Sequence, residues 1–192
     1  VGKGVVSFVS RSPAAVSADA NGPEFLLEQC RIAWKMAGLR GWKQQNYLAL
    51  RRGKYLVAAC LEETGDDRPV LLEGSFVDLL DPTLRVVARK PVAPGQRALL
   101  VDLAKQAPAP SLVAGAARAY NPRRGDGWYS CTLAGAEGVQ CAARFLLPAR
   151  PTAVRAERGG KAVEIESKWD AASRTVLLTF ANRPEGVRVR ME

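Results

Sequence analysis

The chain has 192 residues, 47% of them hydrophobic and 24% charged, with a formal net charge of +9 at pH 7 and no histidine. A chain of this length suits one large domain, or one domain with a piece of a neighbour, and loses roughly two-thirds of its unfolded surface on folding. The missing imidazole excludes Ser-His-Asp and Cys-His nucleophile chemistry, His-ligated zinc and the commonest general base.

The first 37 residues differ from the rest. Val5–Val9 is a short β-prone run. A Pro/Ala/Ser loop follows, and Pro23 with Glu24 supplies the start signals of a helix. Phe25, Leu26, Cys30, Ala33, Trp34 and Ala37 recur at three- and four-residue spacing, and Gly38 closes the helix. Residues 1–37 are expected to form one β-α unit. A lone unit cannot build a parallel sheet, so it reads as the tail of a preceding α/β domain. Residues 38–45, with Trp42, read as a connection. A chain that opens on Val1, with neither the charged nor the long apolar region of a signal peptide, reads as starting inside a longer polypeptide.

From Asn46 the period changes to two. Residues 46–50 and 55–59 flank Arg51-Arg52-Gly53-Lys54, a hairpin signal. An acidic loop, Glu62 to Asp67, precedes a strand at 70–77, a turn at Asp81-Pro82 and a strand at 84–88. After the turn from Pro91 to Gly95, strands are expected at 98–102, 112–119, 128–133, 139–147, 152–157, 161–166, 174–180 and 186–191. Residues 111–120 are Ala-rich enough to compete as helix. Val187, Val189 and Met191 alternate with Arg188 and Arg190, as a strand with one wet face requires. Short strands at this spacing are the mark of a sandwich or barrel. The fold class is therefore mainly β: an antiparallel β-sandwich over residues 46–192 with one N-terminal β-α unit.

The cysteines at 30, 60, 131 and 141 lack any C-x-x-C spacing, which argues against structural zinc. Cys30, Cys60 and Cys141 lie in apolar surroundings and read as buried small hydrophobes. Cys131 and Cys141 flank Gly135-Ala136-Glu137-Gly138, and in a hairpin centred there a cross-strand disulfide is geometrically open to them. The basic excess is spread, with 13 basic and 10 acidic residues in the first 96 and 15 and 9 in the last 96. That distribution argues against a nucleic-acid partner. No apolar run approaches the ~18 residues of a membrane helix.

Two groups of residues merit attention as sites. Glu62, Glu63, Asp66 and Asp67 supply carboxylates for a glycosidase pair or for Ca²⁺, but they crowd a turn and lack regular Asp spacing. Residues 121–129 read as an exposed loop in which Arg123 and Arg124 offer charge-assisted hydrogen bonds to an acid group, while Trp128 and Tyr129 offer flat faces to a sugar. The competing reading has Trp128 start a strand and plug the core. Trp169 is expected to cap the core and Trp34 to pack on the apolar helix face.

The opening VGKGVVSFVS, with EFLLEQCRIAWKMAG after a loop, resembles the last strand and helix of the glutamine-amidotransferase-like domains of some large glycoside hydrolases. The segments NYLALRRGKYLVAACLEE, LEGSFVDLLDPTL, VAPGQRALLVDL and SKWDAASRTVLLTFANRPEGVRVRM resemble the accessory β-sandwich that follows such regions in secreted glycosidases. No glycosidase active-site motif accompanies them. The resemblance implies a non-catalytic accessory domain of a multidomain, extracytoplasmic bacterial glycoside hydrolase, partnered by a catalytic domain of the same polypeptide. The alternatives are a carbohydrate-binding module for acidic glycans and, behind it, a stand-alone carboxylate-based glycosidase. No catalytic residue, metal or cofactor is assigned.

Overall fold

A computed structural model describes residues 6–42, 45–62 and 68–192. It divides into two compact units, residues 1–45 and 46–192.

The first unit is a helical pair, α1 (Pro13–Ser17) and α2 (Gly22–Met36). Ser12 caps α1, its hydroxyl accepting from the Ala15 amide at 3.1 Å and so satisfying one of the free donors of the first turn. The helix expected from Pro23 thus forms with its boundaries nearly as read. The strand expected at 5–9 does not form over residues 6–9, and Val5 lies outside the described residues. Strand propensity is a weak force without a partner strand to hydrogen-bond. Trp34 packs edge-on against Trp42, ring centroids 5.5 Å apart. Cys30 is exposed, against its expected burial, and α2 also presents Leu26, Ile32 and Met36 to solvent.

The second unit is mainly β, with antiparallel strands throughout. Its first sheet has the order β1 (Tyr47–Arg52), β2 (Tyr55–Cys60), β5 (Arg97–Asp102), β3 (Val70–Asp78), β4 (Val86–Val92). β1 and β2 form the hairpin read from the sequence, with Arg52 opposite Tyr55. Pro91 lies inside β4 rather than in a turn, and β4 is an edge strand, where a missing amide costs no ladder bond.

The second sheet runs β12 (Glu166–Asp170), β13 (Thr175–Ala181), β9 (Gln140–Leu146), β6 (Ser111–Gly115). The third runs β11 (Lys161–Ala162), β10 (Val154–Arg158), β14 (Val187–Met191), β8 (Trp128–Ala134), β7 (Arg118–Gly125). These two form the sandwich. Tyr129, Cys131 and Leu133 of β8 and Val187, Val189 and Met191 of β14 meet Cys141, Ala143 and Phe145 of β9 and Val176, Leu178 and Phe180 of β13 in one core. Trp169, on β12, packs against that core. The other face of the second sheet takes Val77, Leu84 and Val101 of the first-sheet region against Val113 and Ala142. A separate cluster on the first sheet's opposite side gathers Leu56, Cys60, Phe76, Val92, Ala98 and Leu100.

Residues 135–138 do not make a hairpin. β8 and β9 belong to different sheets, so the connection arches over the end of the sandwich. Gly135 is needed there, because a Cβ would lie 2.6 Å from the buried Asn182 amide group. Cys131 and Cys141 consequently sit in the core as free thiols on opposite layers rather than as a cross-strand disulfide. The Ala-rich stretch resolves likewise into two strands in two sheets, β6 and β7.

Candidate functional site

The segment read as a loop at 121–129 is largely strand. β7 continues to Gly125, Asp126 and Gly127 turn the chain, and β8 begins at Trp128. The register shift between Tyr120 and Arg123 accommodates Asn121, at φ 51°, and Pro122. A proline is tolerated because β7 is the edge of its sheet.

Alternation along the strands then separates the four residues singled out in the sequence. Tyr129 is only 7% exposed and its ring lies 6.0 Å from that of Phe145 in the core. Burial raises its phenol pKa. Tyr129 therefore turns most of its ring into the core, and only a small part of it reaches the wall of the cleft that Trp128 lines. Arg124 pairs with Tyr129 in the ladder, while Arg123 pairs with Ser130 and Gly125 with Trp128. Arg123 and Trp128 thus share the outer face of the third sheet, and Arg124 points to the other side.

Trp128 is half-buried by two neighbours. Its indole covers Gly125, where a Cβ would fall 2.3 Å from Nε1, the kind of cross-strand cover an aromatic gives a strand glycine. The Arg190 guanidinium carbon lies 4.4 Å from the ring centroid, a close cation–π contact. Arg190 also donates from Nε to Glu192 Oε1 at 2.7 Å.

The ladder registers extend this surface. Arg155 of β10 is paired with Arg190 of β14, Arg190 with Ser130 of β8, and Ser130 with Arg123 of β7. One row across four strands therefore reads Arg, Arg, Ser, Arg. In the next row Glu157, Arg188, Thr132 and Tyr120 are paired in turn, with Arg188 held by Glu157 at 3.6 Å. The Ser130 hydroxyl is buried and has no hydrogen-bond partner among the described residues. Two clefts flank the Arg190–Trp128 stack and share Glu192 in their walls. One, of about 170 Å³, includes Trp128, Pro148, Arg150 and Pro151. The other, of about 740 Å³, includes Arg155, Glu157, Arg188 and Arg190.

Sequence reasoning did not include Arg155, Ser130 or Arg190 in a site. The alternation at 187–191 had put the β14 arginines on a wet face, but which strands flank them is a non-local fact.

A second surface stands out on the first sheet. Leu48 and Leu50, each 65% exposed, lie opposite Ala59 and Val57, and Val57 lies opposite Leu99. On β5 the same face continues to Val101, which is fully buried beneath the second sheet. Half of one apolar face is therefore covered and half is bare.

The buried carboxylates have structural partners. Asp78 accepts from Lys90 at 2.6 Å and from the Leu80 amide, and Asp102 accepts from Arg51 and caps the 3₁₀ turn at Leu103–Lys105 through the Ala104 amide. Of the acidic loop, Glu63, Asp66 and Asp67 lie outside the described residues, and Glu62 stands alone as a described member. Among the described residues, no group of three or more Cys, Asp or Glu converges to hold a metal. Nor is any helix there long and apolar enough to cross a membrane.

The sequence matches no family model, no curated protein and no solved structure. Its functional reading therefore rests on geometry and chemistry.

Proposed function

We propose that the chain is a non-catalytic accessory domain whose β-sandwich packs against a neighbouring folded domain of the same polypeptide. The bare half of the first-sheet face that also packs on the second sheet carries this reading. Contiguous exposed apolar surface on a sheet is a feature of interfaces, because water gains from its removal about 25 cal/mol per Å². Leu48, Leu50, Val57 and Leu99 form such a surface on three adjacent strands, continuous with the part the second sheet covers. A carbohydrate-active domain as that neighbour is what the sequence resemblance alone implies.

The double substitution Leu48→Glu with Leu50→Glu tests it. The change should leave folding intact while reducing hydrophobic-dye binding and abolishing any association with the partner domain. Undiminished association would remove the surface from the proposal.

A second reading, a module for acidic glycans, is favoured by one observation. Trp128 and Arg123 do share an exposed sheet face, although Tyr129 and Arg124 do not join them there.

A further inference from the structure

We infer that the outer face of the third sheet binds the acid groups of an anionic glycan, held by Arg155, Arg190 and Arg123 around the Ser130 hydroxyl. This rests on the second reading above and replaces its binding residues.

Arg155 and Arg190 are directly paired on neighbouring strands, and like charges so placed destabilise a sheet unless something lies between them. Glu192 engages Arg190 alone. No carboxylate among the described residues pairs with Arg155 or Arg123. Beside them is the orphaned Ser130 hydroxyl, 1% exposed, between Arg190 and Arg123 in the same row. A buried donor without an acceptor is costly. A carboxylate or sulfate ester seated here would neutralise the arginine pair, whose planar forks fit such groups, and would give Ser130 its acceptor. Trp128, adjoining the row, holds the Arg190 guanidinium against its ring and lines the small cleft beside it.

The same face argues for a glycan over a nucleic acid. Glu157 and Glu192 interrupt the arginines. A strand with a phosphate on every nucleotide would meet those carboxylates. A glycan with acid groups on some rings and hydroxyls on the others can donate to them.

Calorimetry and tryptophan fluorescence with a sulfated glycan, a polyuronate, a neutral glycan, inorganic sulfate and single-stranded DNA provide the test. Arg155→Gln and Arg123→Gln are measured alongside the parent chain. At least one acidic glycan should bind and the neutral one should not, with the preferred acid group given by whichever of the first two binds tighter. Each substitution should weaken binding about tenfold or more, the worth of a charge-assisted hydrogen bond. Unliganded Arg155→Gln should melt no lower than the parent, since it relieves the repulsion. Acidic-glycan binding that both substitutions leave unchanged would overturn this site and spare the second reading. Failure of both acidic glycans to bind would overturn both. Tighter binding of the DNA would reassign the face to nucleic acid.

Discussion

Arg144, in the middle of β9, donates from Nε to the main-chain carbonyl of Leu84 at 2.7 Å. The same guanidinium donates from Nη1 to the Thr175 hydroxyl at 2.9 Å, and the residue is 6% exposed. Burial lowers its pKa and the Asp170 carboxylate opposes that shift. Leu84 belongs to the connection between β3 and β4, so one side chain ties the second sheet to the first-sheet region that packs on it. Arg144→Lys keeps the charge but not the planar fork. It should cost about 2–4 kcal/mol in chemical denaturation, the usual loss when a hydrogen-bonded buried charge loses its partners. A change within about 0.5 kcal/mol, typical of a surface substitution, would deny Arg144 this role.

The thiols should behave in two classes. Burial pushes Cys131 up to about 12, with Cys141 nearby adding to it, and pushes Cys141 up to about 11. Both stay protonated in the folded chain where an unfolded thiol, at about 9, has begun to ionise. That stabilisation is complete below pH 9 and is lost as pH rises through 11 to 12. Denaturation midpoints should therefore fall across that alkaline window, and Cys131→Ala should flatten the fall. A thiol reagent at pH 8 should modify Cys30 in the native chain and all four cysteines after unfolding in denaturant without reductant. Only two reactive thiols in the unfolded chain would indicate a disulfide.

Gly125→Ala probes the Trp128 stack. The new methyl would meet the indole at 2.3 to 2.9 Å, so the ring must leave its place over β7 and its contact with Arg190. The expected result is a loss of about 1–3 kcal/mol, as in other overpacked sites, with a red shift in tryptophan emission. An unshifted spectrum at parental stability would mean that the indole does not rest on Gly125.

Local pattern made much of this fold legible. The β1–β2 hairpin follows from a glycine turn between alternating runs, and the buried valines of β14 follow from their spacing with Arg188 and Arg190. What stayed hidden was which sheet each strand joins. A glycine-rich connection such as 135–138 has the same turn chemistry whether it returns a strand beside its predecessor or arches to the opposite layer. The core decides that, through contacts distant in sequence. The same ambiguity made residues 121–125 look like loop, since Pro122 is hard to place in a strand until β7 is known to be an edge. For the site, Trp128 and Arg123 were readable as a flat ring near a cation. Tyr129 was not separable from them until the pleat turned it inward, and Arg155 entered only through its register with Arg190.

The proposed interface on the first sheet bears most directly on the role of the chain. Amide hydrogen exchange across β1 and β2 should be compared between this chain alone and a longer polypeptide carrying the proposed neighbouring domain. Packing through Leu48, Leu50 and Val57 predicts that exchange across residues 47–59 slows in the longer polypeptide while the exposed Arg123 edge of β7 is unchanged. Equal exchange across residues 47–59 in the two proteins would contradict the proposed role.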